Sequence, residues 1–326
     1  MRIPVEFRYP ADVDQTMADA INAAEDALDA DPSTAAPAWE EVYRLAHASQ
    51  HTEAIGYASL GIARTLGIDG KLDDATARIQ EALDSFQQIG DERWLGETWA
   101  FAGRIFADAG DDEAAANAYR TALEHARRTD DRHLLGRCLI DNADIVLEDE
   151  TYDKSIDRAL EGVELLEQFD DPDAQARAWE VVARLYADLG EWRPAITAGE
   201  RVLELFRNIG DLQHIGRFLT LLGYWSLEIG AYDVALKRSR EAGPLVRKHG
   251  SKMLNLELLI LQADLYARTG RVADGAARLD DAEALARELG TTLRDEVIAT
   301  IRHRLADAKS APAITTSAPA KGKKRK

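Results

Sequence analysis

The chain holds a single cysteine, Cys138, among its 326 residues, so no internal disulfide can form and a reducing compartment suits it. Histidine is scarce as well. The seven histidines are scattered, and only His47 and His51 stand four apart, across an expected helix break, so no metal site is expected. Aromatic residues make up only 7% of the chain. No apolar run approaches the roughly 20 residues that span a bilayer, and Met1 to Pro10 lacks the apolar stretch of a signal peptide. A cytoplasmic location is the expectation. Positive charge is in deficit: 40 Lys and Arg against 58 Asp and Glu give −18, which sets the body of the protein against nucleic acid and anionic membranes. Also missing are the phosphate-cradling G-x-x-x-x-G-K-[ST] and G-x-G-x-x-G loops, the H-E-x-x-H zinc pair and the G-x-S-x-G nucleophile elbow. With no catalytic residues and no cofactor or metal site in view, an enzyme is not expected.

What is present is a period. Glycine stands at Gly70, Gly110, Gly190, Gly230 and Gly270, forty residues apart, with Glu150 in the one vacant place. A second column runs halfway between: Gly90, Asp130, Asp170, Gly210, Gly250 and Gly290. Each of its members is followed by a residue that can cap a helix N-terminus, namely Asp91, Asp131, Asp171, Asp211, Ser251 and Thr291. Paired acids such as Asp73-Asp74, Asp111-Asp112 and Asp130-Asp131 fall at the same helix starts, where they cap and offset the dipole. The stretches between have helical periodicity and almost no Pro or Gly, so each forty-residue unit is read as two antiparallel helices. Pro244 is the exception, expected to kink its helix or end it early.

Small residues recur on the first helix of each unit at Ala23, Ala63, Gly103, Ala143, Ala183, Gly223 and Ala263. Matching rows follow on the second helix: Ala35, Ala75, Ala115, Ser155, Ala195, Ala235 and Gly275, then Val42, Ala82, Ala122, Gly162, Val202, Ala242 and Ala282. Only small side chains let two helix backbones approach closely at such rows. The unit beginning at Asp91 adds Trp99, Ala102, Phe106 and Tyr119 to Gly103, Ala115 and Ala122, and the unit beginning at Asp171 adds Trp179, Val182 and Tyr186. This pattern resembles the tetratricopeptide repeat, in a forty-residue variant of the usual 34-residue unit. The proline that often closes the family's unit is replaced by a Gly-Asp or Asp-Asp pair.

The resemblance implies an all-α fold, a right-handed α-solenoid of about seven helix hairpins with a C-terminal capping helix. Residues 1–10 are an extended N-terminal arm, and residues 11–290 form the array in units 11–50, 51–90, 91–130, 131–170, 171–210, 211–250 and 251–290. Residues 291–309 cap the array, and 310–326 are a disordered basic tail. The family's first helices line a concave groove that receives partner proteins or peptides. Six residues before the small column the row reads Met17, Tyr57, Glu97, Arg137, Arg177, Arg217 and Glu257. One residue after it the row reads Ala24, Arg64, Arg104, Asp144, Arg184, Tyr224 and Asp264. By resemblance these rows face the groove, and Arg104, Arg137, Arg177, Arg184 and Arg217 gather there as partners for an acidic peptide. Tyr57 and Tyr224 either stack on a ligand or pack on a neighbour. Asp108, Glu148, Asp188 and Glu228 form an acidic row at the helix ends, either the groove's second wall or simple partners of Arg104 and Arg184 one turn away.

The termini differ from the array. Ile3, Val5, Phe7 and Tyr9 alternate with polar residues and Pro4, a period of two that reads as an arm. From Lys309 onward the chain carries six positive charges and no acid, ending in Lys321, Lys323, Lys324, Arg325 and Lys326. The functional expectation is a non-enzymatic scaffold or adaptor, in a regulatory version a sensor, binding a protein segment in the groove. The alternative is a nucleic-acid- or ribosome-associated factor that uses the basic tail, with the array as adaptor.

Overall fold

The computed structural model describes residues 10–31, 34–145 and 151–310. Among them every regular element is an α-helix, fifteen in all, with no strand. In chain order they are α1 (Gln15–Ala30), α2 (Ala36–Ser49), α3 (Thr52–Ile68), α4 (Leu72–Ile89), α5 (Glu92–Asp108), α6 (Asp112–Ala126), α7 (Arg132–Asp144) and α8 (Tyr152–Leu166). There follow α9 (Pro172–Asp188), α10 (Trp192–Ile209), α11 (Leu212–Glu228), α12 (Tyr232–His249), α13 (Lys252–Arg268), α14 (Val272–Leu289) and α15 (Asp295–Ser310). The helices gather into two compact parts, up to Leu205 and from Phe206 on. Adjacent helices pack as hairpins, α3 on α4, α5 on α6 and α7 on α8 in the first part, α11 on α12 and α13 on α14 in the second. This is an α-solenoid of repeated hairpins.

The punctuation does what its chemistry dictates. Asp91, Asp131 and Asp171 accept from the backbone amides of Trp94, Leu134 and Ala174 at 2.9–3.0 Å, satisfying donors that the helix cannot. Asp211 and Ser251 do the same for α11 and α13. Thr291 departs from the row: its hydroxyl accepts from Leu293 in a turn, and the last helix starts only at Asp295. In the first column Gly110 shows why glycine is needed. Its φ is +77°, a left-handed conformation that reverses the chain after α5 and that a Cβ would strain. Glu150, which replaces it in one repeat, lies outside the described residues. Gly250 departs from its own column with φ −82°, ordinary extended backbone.

The small rows are buried, and they are tight. A Cβ on Gly103 would sit 2.4 Å from the Tyr119 ring, and one on Gly223 would reach Leu261 at 2.7 Å. The first repeat is out of step by one residue: Ala24 is buried where Ala23 is exposed. There the core gathers round Trp39, which is fully buried and occupies the space beside Gly61. Pro244 neither ends nor stops its helix. α12 continues through it to His249, held on both sides of the proline by buried Ala242 and Val246. The lost amide donor is tolerated because packing on that face outweighs one missing backbone bond.

Candidate functional site on the first helices

Within the first compact part, first helices of successive repeats touch one another: α5 lies against α7, and α7 against α9. What joins them is a ladder of ion pairs with the repeat's own spacing. Arg137 on α7 donates two parallel bonds to the Glu97 carboxylate on α5, at 3.1 and 3.0 Å. Arg177 on α9 reaches Asp141 at 3.0 Å and Asp144 at 3.3 Å on α7. Arg184 on α9 bonds the Asp144 backbone carbonyl at 2.5 Å and its carboxylate at 2.6 Å, and Asp188 on its own helix at 3.0 Å. Glu97 and Asp141 are nearly buried, at 11% and 10% side-chain exposure, so these pairs are shielded from water and salt.

The electrostatics follow from that burial. Burial pushes the Glu97 carboxyl up, but the guanidinium charges of Arg137 and Arg64 and the bonds from Arg137 outweigh it and hold the group below the usual carboxylate range. Arg137 is raised, chiefly by Glu97. A second series of pairs fixes the starts of the helices. Arg93 on α5 bonds Asp131 at 2.7 Å, and His133 on α7 bonds Asp171 at 2.9 Å, so each carboxylate both caps one helix and grips the preceding first helix. The His133 bond is the largest reason that the Asp171 carboxyl is lowered.

The second part repeats the device. Arg268 bonds Glu228 at 2.9 Å and Asp264 at 3.0 Å, Arg294 bonds Glu257 at 2.5 Å, and Arg304 on α15 pairs with Asp264. Through these bonds the last helix is tied to α13.

Most of the expected groove residues are therefore occupied by the protein itself. Arg137, Arg177 and Arg184 serve the ladder, and Asp188 and Glu228 accept from it. Arg217 lies over the Phe218 ring at 5.1 Å. Tyr57 is buried at 6% exposure, bonds Glu25, and meets Trp39 and Trp94 edge-on at 5.5 and 5.0 Å. Its ring is used for packing. Tyr224 packs beside the core of the second part, and burial raises its hydroxyl pKa. Glu148 and the tail residues Lys321, Lys323, Lys324, Arg325 and Lys326 lie outside the described residues, as does the arm from Ile3 to Tyr9. Cys138 is 1% exposed in the core, and burial pushes its thiol up, which makes it a poor nucleophile. Among the described residues no cluster of three or more His, Cys, Asp or Glu could hold a metal ion, and no helix is long and apolar enough to cross a membrane.

Two arginines behave differently. Arg64 on α3 and Arg104 on α5 hold equivalent places in adjacent repeats, and neither finds a carboxylate within ion-pair distance among the described residues. Arg104 lies over the Phe101 ring at 5.2 Å and does not bond Asp108 one turn along. Both line a cleft of about 480 Å³ walled by Leu28, Ile68, Phe101 and Ile105, with Asp108 also on its lining. The backbones of α3 and α5 approach less closely than those of α5 and α7, which leaves this space. Loss of water around Arg104 in the cleft is the largest cause that lowers its pKa, and the like charges of Arg137 and Arg64 add to it, against an opposing pull from Asp141.

Comparison with solved structures places this architecture among repeat proteins. The chain superimposes on a signal transduction ATPase with numerous domains from Pyrococcus horikoshii, which carries a tetratricopeptide repeat sensor, with a TM-score of 0.65. The two are 13% identical, and the match covers 91% of this chain and 50% of the other. The fold is that of tetratricopeptide-like repeat proteins. A Rap protein in complex with competence and sporulation factor matches at TM-score 0.62 and 16% identity, over 91% of this chain and 86% of the Rap chain. The nearly identical TPR-like repeats of a kinesin light chain from Podosopora anserina match at TM-score 0.51 and 12% identity, over 60% of this chain and 95% of the other. No family model and no curated protein matches the sequence.

Proposed function

We propose that this protein is a non-enzymatic interaction scaffold of the cytoplasm, which binds a segment of a partner protein or a peptide along the face formed by its first helices. The observation that carries the reading is the unspent charge on that face. On the neighbouring first helices Arg137, Arg177 and Arg184 are satisfied within the protein, whereas Arg64 and Arg104 make no ion pair and line an open, largely apolar cleft. Arg104 is exposed and Arg64 half-buried on the cleft lining, so the donors of both are open to a carboxylate brought by a ligand. The kinds of protein that share the fold are in keeping with this use: one of them was solved with competence and sporulation factor bound, and another carries its repeats as a sensor. In a sensor role, the bound segment would stiffen the hairpins it bridges, since each repeat contacts only its neighbours.

Photo-crosslinking tests the reading. A benzoylphenylalanine placed at Ile68 or Asp188, at the ends of first helices, is expected to capture a partner from an extract of the source cells. The same probe at Arg120 or Arg201, exposed on second helices, is expected to capture none. Equal capture from both faces would move the interface elsewhere.

A further inference from the structure

We infer that the cleft between α1, α3 and α5 is a seat for an acidic segment of a partner protein in which an apolar side chain lies beside carboxylates. The inference rests on the reading that the first helices bind a protein segment, and it names the locus and the chemistry.

Three properties of the lining define the ligand. Arg64 and Arg104 each present a planar fork of donors, and a carboxylate accepts two parallel bonds from such a fork. Two forks one repeat apart call for two carboxylates. The walls are apolar, and Ile68 is 56% exposed, a large hydrophobic side chain left uncovered at the cleft. A buried apolar group of the ligand would cover it. Asp108 makes no ion pair with Arg104, and its carboxylate is free to accept a hydrogen bond from an N–H donor. A free carboxylic acid offers the charge and the apolar part but no amide. A peptide offers all three, which decides for a protein segment. The volume of about 480 Å³ lies in the range of small-ligand pockets and suits two to three side chains, not a whole helix.

The same features explain why the groups are not merely solvated wall. Arg184 pairs with Asp188 one turn along its own helix as well as with Asp144. Arg104 has Asp108 in the same relative position and does not bond it. A guanidinium that lies over Phe101 and makes no ion pair with Asp108 keeps its donors available.

Calorimetry with capped octapeptides on the full chain tests this. A peptide alternating Glu with Leu and Phe is expected to bind about ten-fold more tightly than its Gln analogue, the order that a pair of charge-assisted bonds gives. Arg64→Gln with Arg104→Gln should abolish that difference, while Arg120→Gln on a second helix should leave it intact. Ile68→Glu should weaken the Glu peptide through both the lost apolar wall and the added charge. Since neither arginine is tied to another residue by an ion pair, circular dichroism of the double variant should match the parent. Equal binding of the Glu and Gln peptides, or an unchanged preference in the double variant, would overturn the assignment. Octanoate binding as tightly as the Glu peptide would overturn the protein-segment choice. If crosslinking captures a partner at the first helices while the double variant still binds it fully, only this assignment fails. If no partner is captured there, the broader reading fails with it.

Discussion

The stretch from α5 to α9 and the stretch from α1 to α5 are built from the same hairpin, yet their first helices treat charge in opposite ways. In the former, three arginines find an acid forty or fewer residues earlier: Arg137 with Glu97, Arg177 with Asp141 and Asp144, Arg184 with Asp144. In the latter, Arg64 and Arg104 occupy the same row in successive repeats and, being alike, cannot pair. The paired region is closed by its ladder; the unpaired one stays open as a cleft with apolar walls. The lesson is that an arginine row does not mark a binding face by itself. Its significance depends on which residue stands one repeat away.

The largest test of that contrast is Arg137→Ala. It leaves the nearly buried Glu97 carboxylate without its bidentate partner, and the expected loss is about 3 kcal/mol in denaturant unfolding, the lower end for breaking a shielded pair from one side. An Arg137→Ala midpoint matching that of Arg104→Ala would erase the distinction between the two regions.

The same pair sets a pH dependence. Glu97 is held below its unfolded value, so its pairing contributes stability above the unfolded pKa of about 4.3 and loses it as pH falls through the lower folded value. Once Glu97 is protonated, Arg137→Ala has little left to remove. The stability gap between parent and variant should therefore be full at pH 7 and shrink progressively below about pH 4. A gap independent of pH would mean that the Arg137 stem, and not its charge, holds α5 to α7.

Arg184→Ala should cost about 1 kcal/mol, less than Arg137→Ala, because its own side chain is 42% exposed and part of its energy is screened. Raising salt to 1 M should reduce this cost more than that of Arg137→Ala.

The smallest effect belongs to the cleft. Arg104→Gln is expected to change stability by no more than about 0.5 kcal/mol, since the repulsion it relieves from Arg137 and Arg64 is set against the lost attraction of Asp141. A clear destabilisation would show that Arg104 has a structural duty that its lack of partners does not suggest.

Much of the molecule was legible from residues alone. The forty-residue columns gave the helix ends, because Gly at a left-handed turn and Asp at an N-cap act locally and need no distant partner. Helix pairing followed from the small rows. The signal for the ladder was also present, since Glu97 and Arg137, Asp144 and Arg184, Glu228 and Arg268 are opposite charges forty residues apart. Reading each row as one ligand-facing strip hid this, because row neighbours sit on adjacent helices and reach each other first. Of the two roles open to Tyr57, the structure shows packing, because the first repeat is shifted by one residue and is filled by Trp39, whose ring the tyrosine meets.

What the sequence determined by itself was the class of fold, most of the helix boundaries and the overall negative charge, all consequences of local conformational preference and composition. Tertiary structure decided which arginines are spent and which are left. That outcome depends on how closely successive first helices approach, a distance set by packing between repeats, and a pair of opposite charges forms only where the packing brings them within reach.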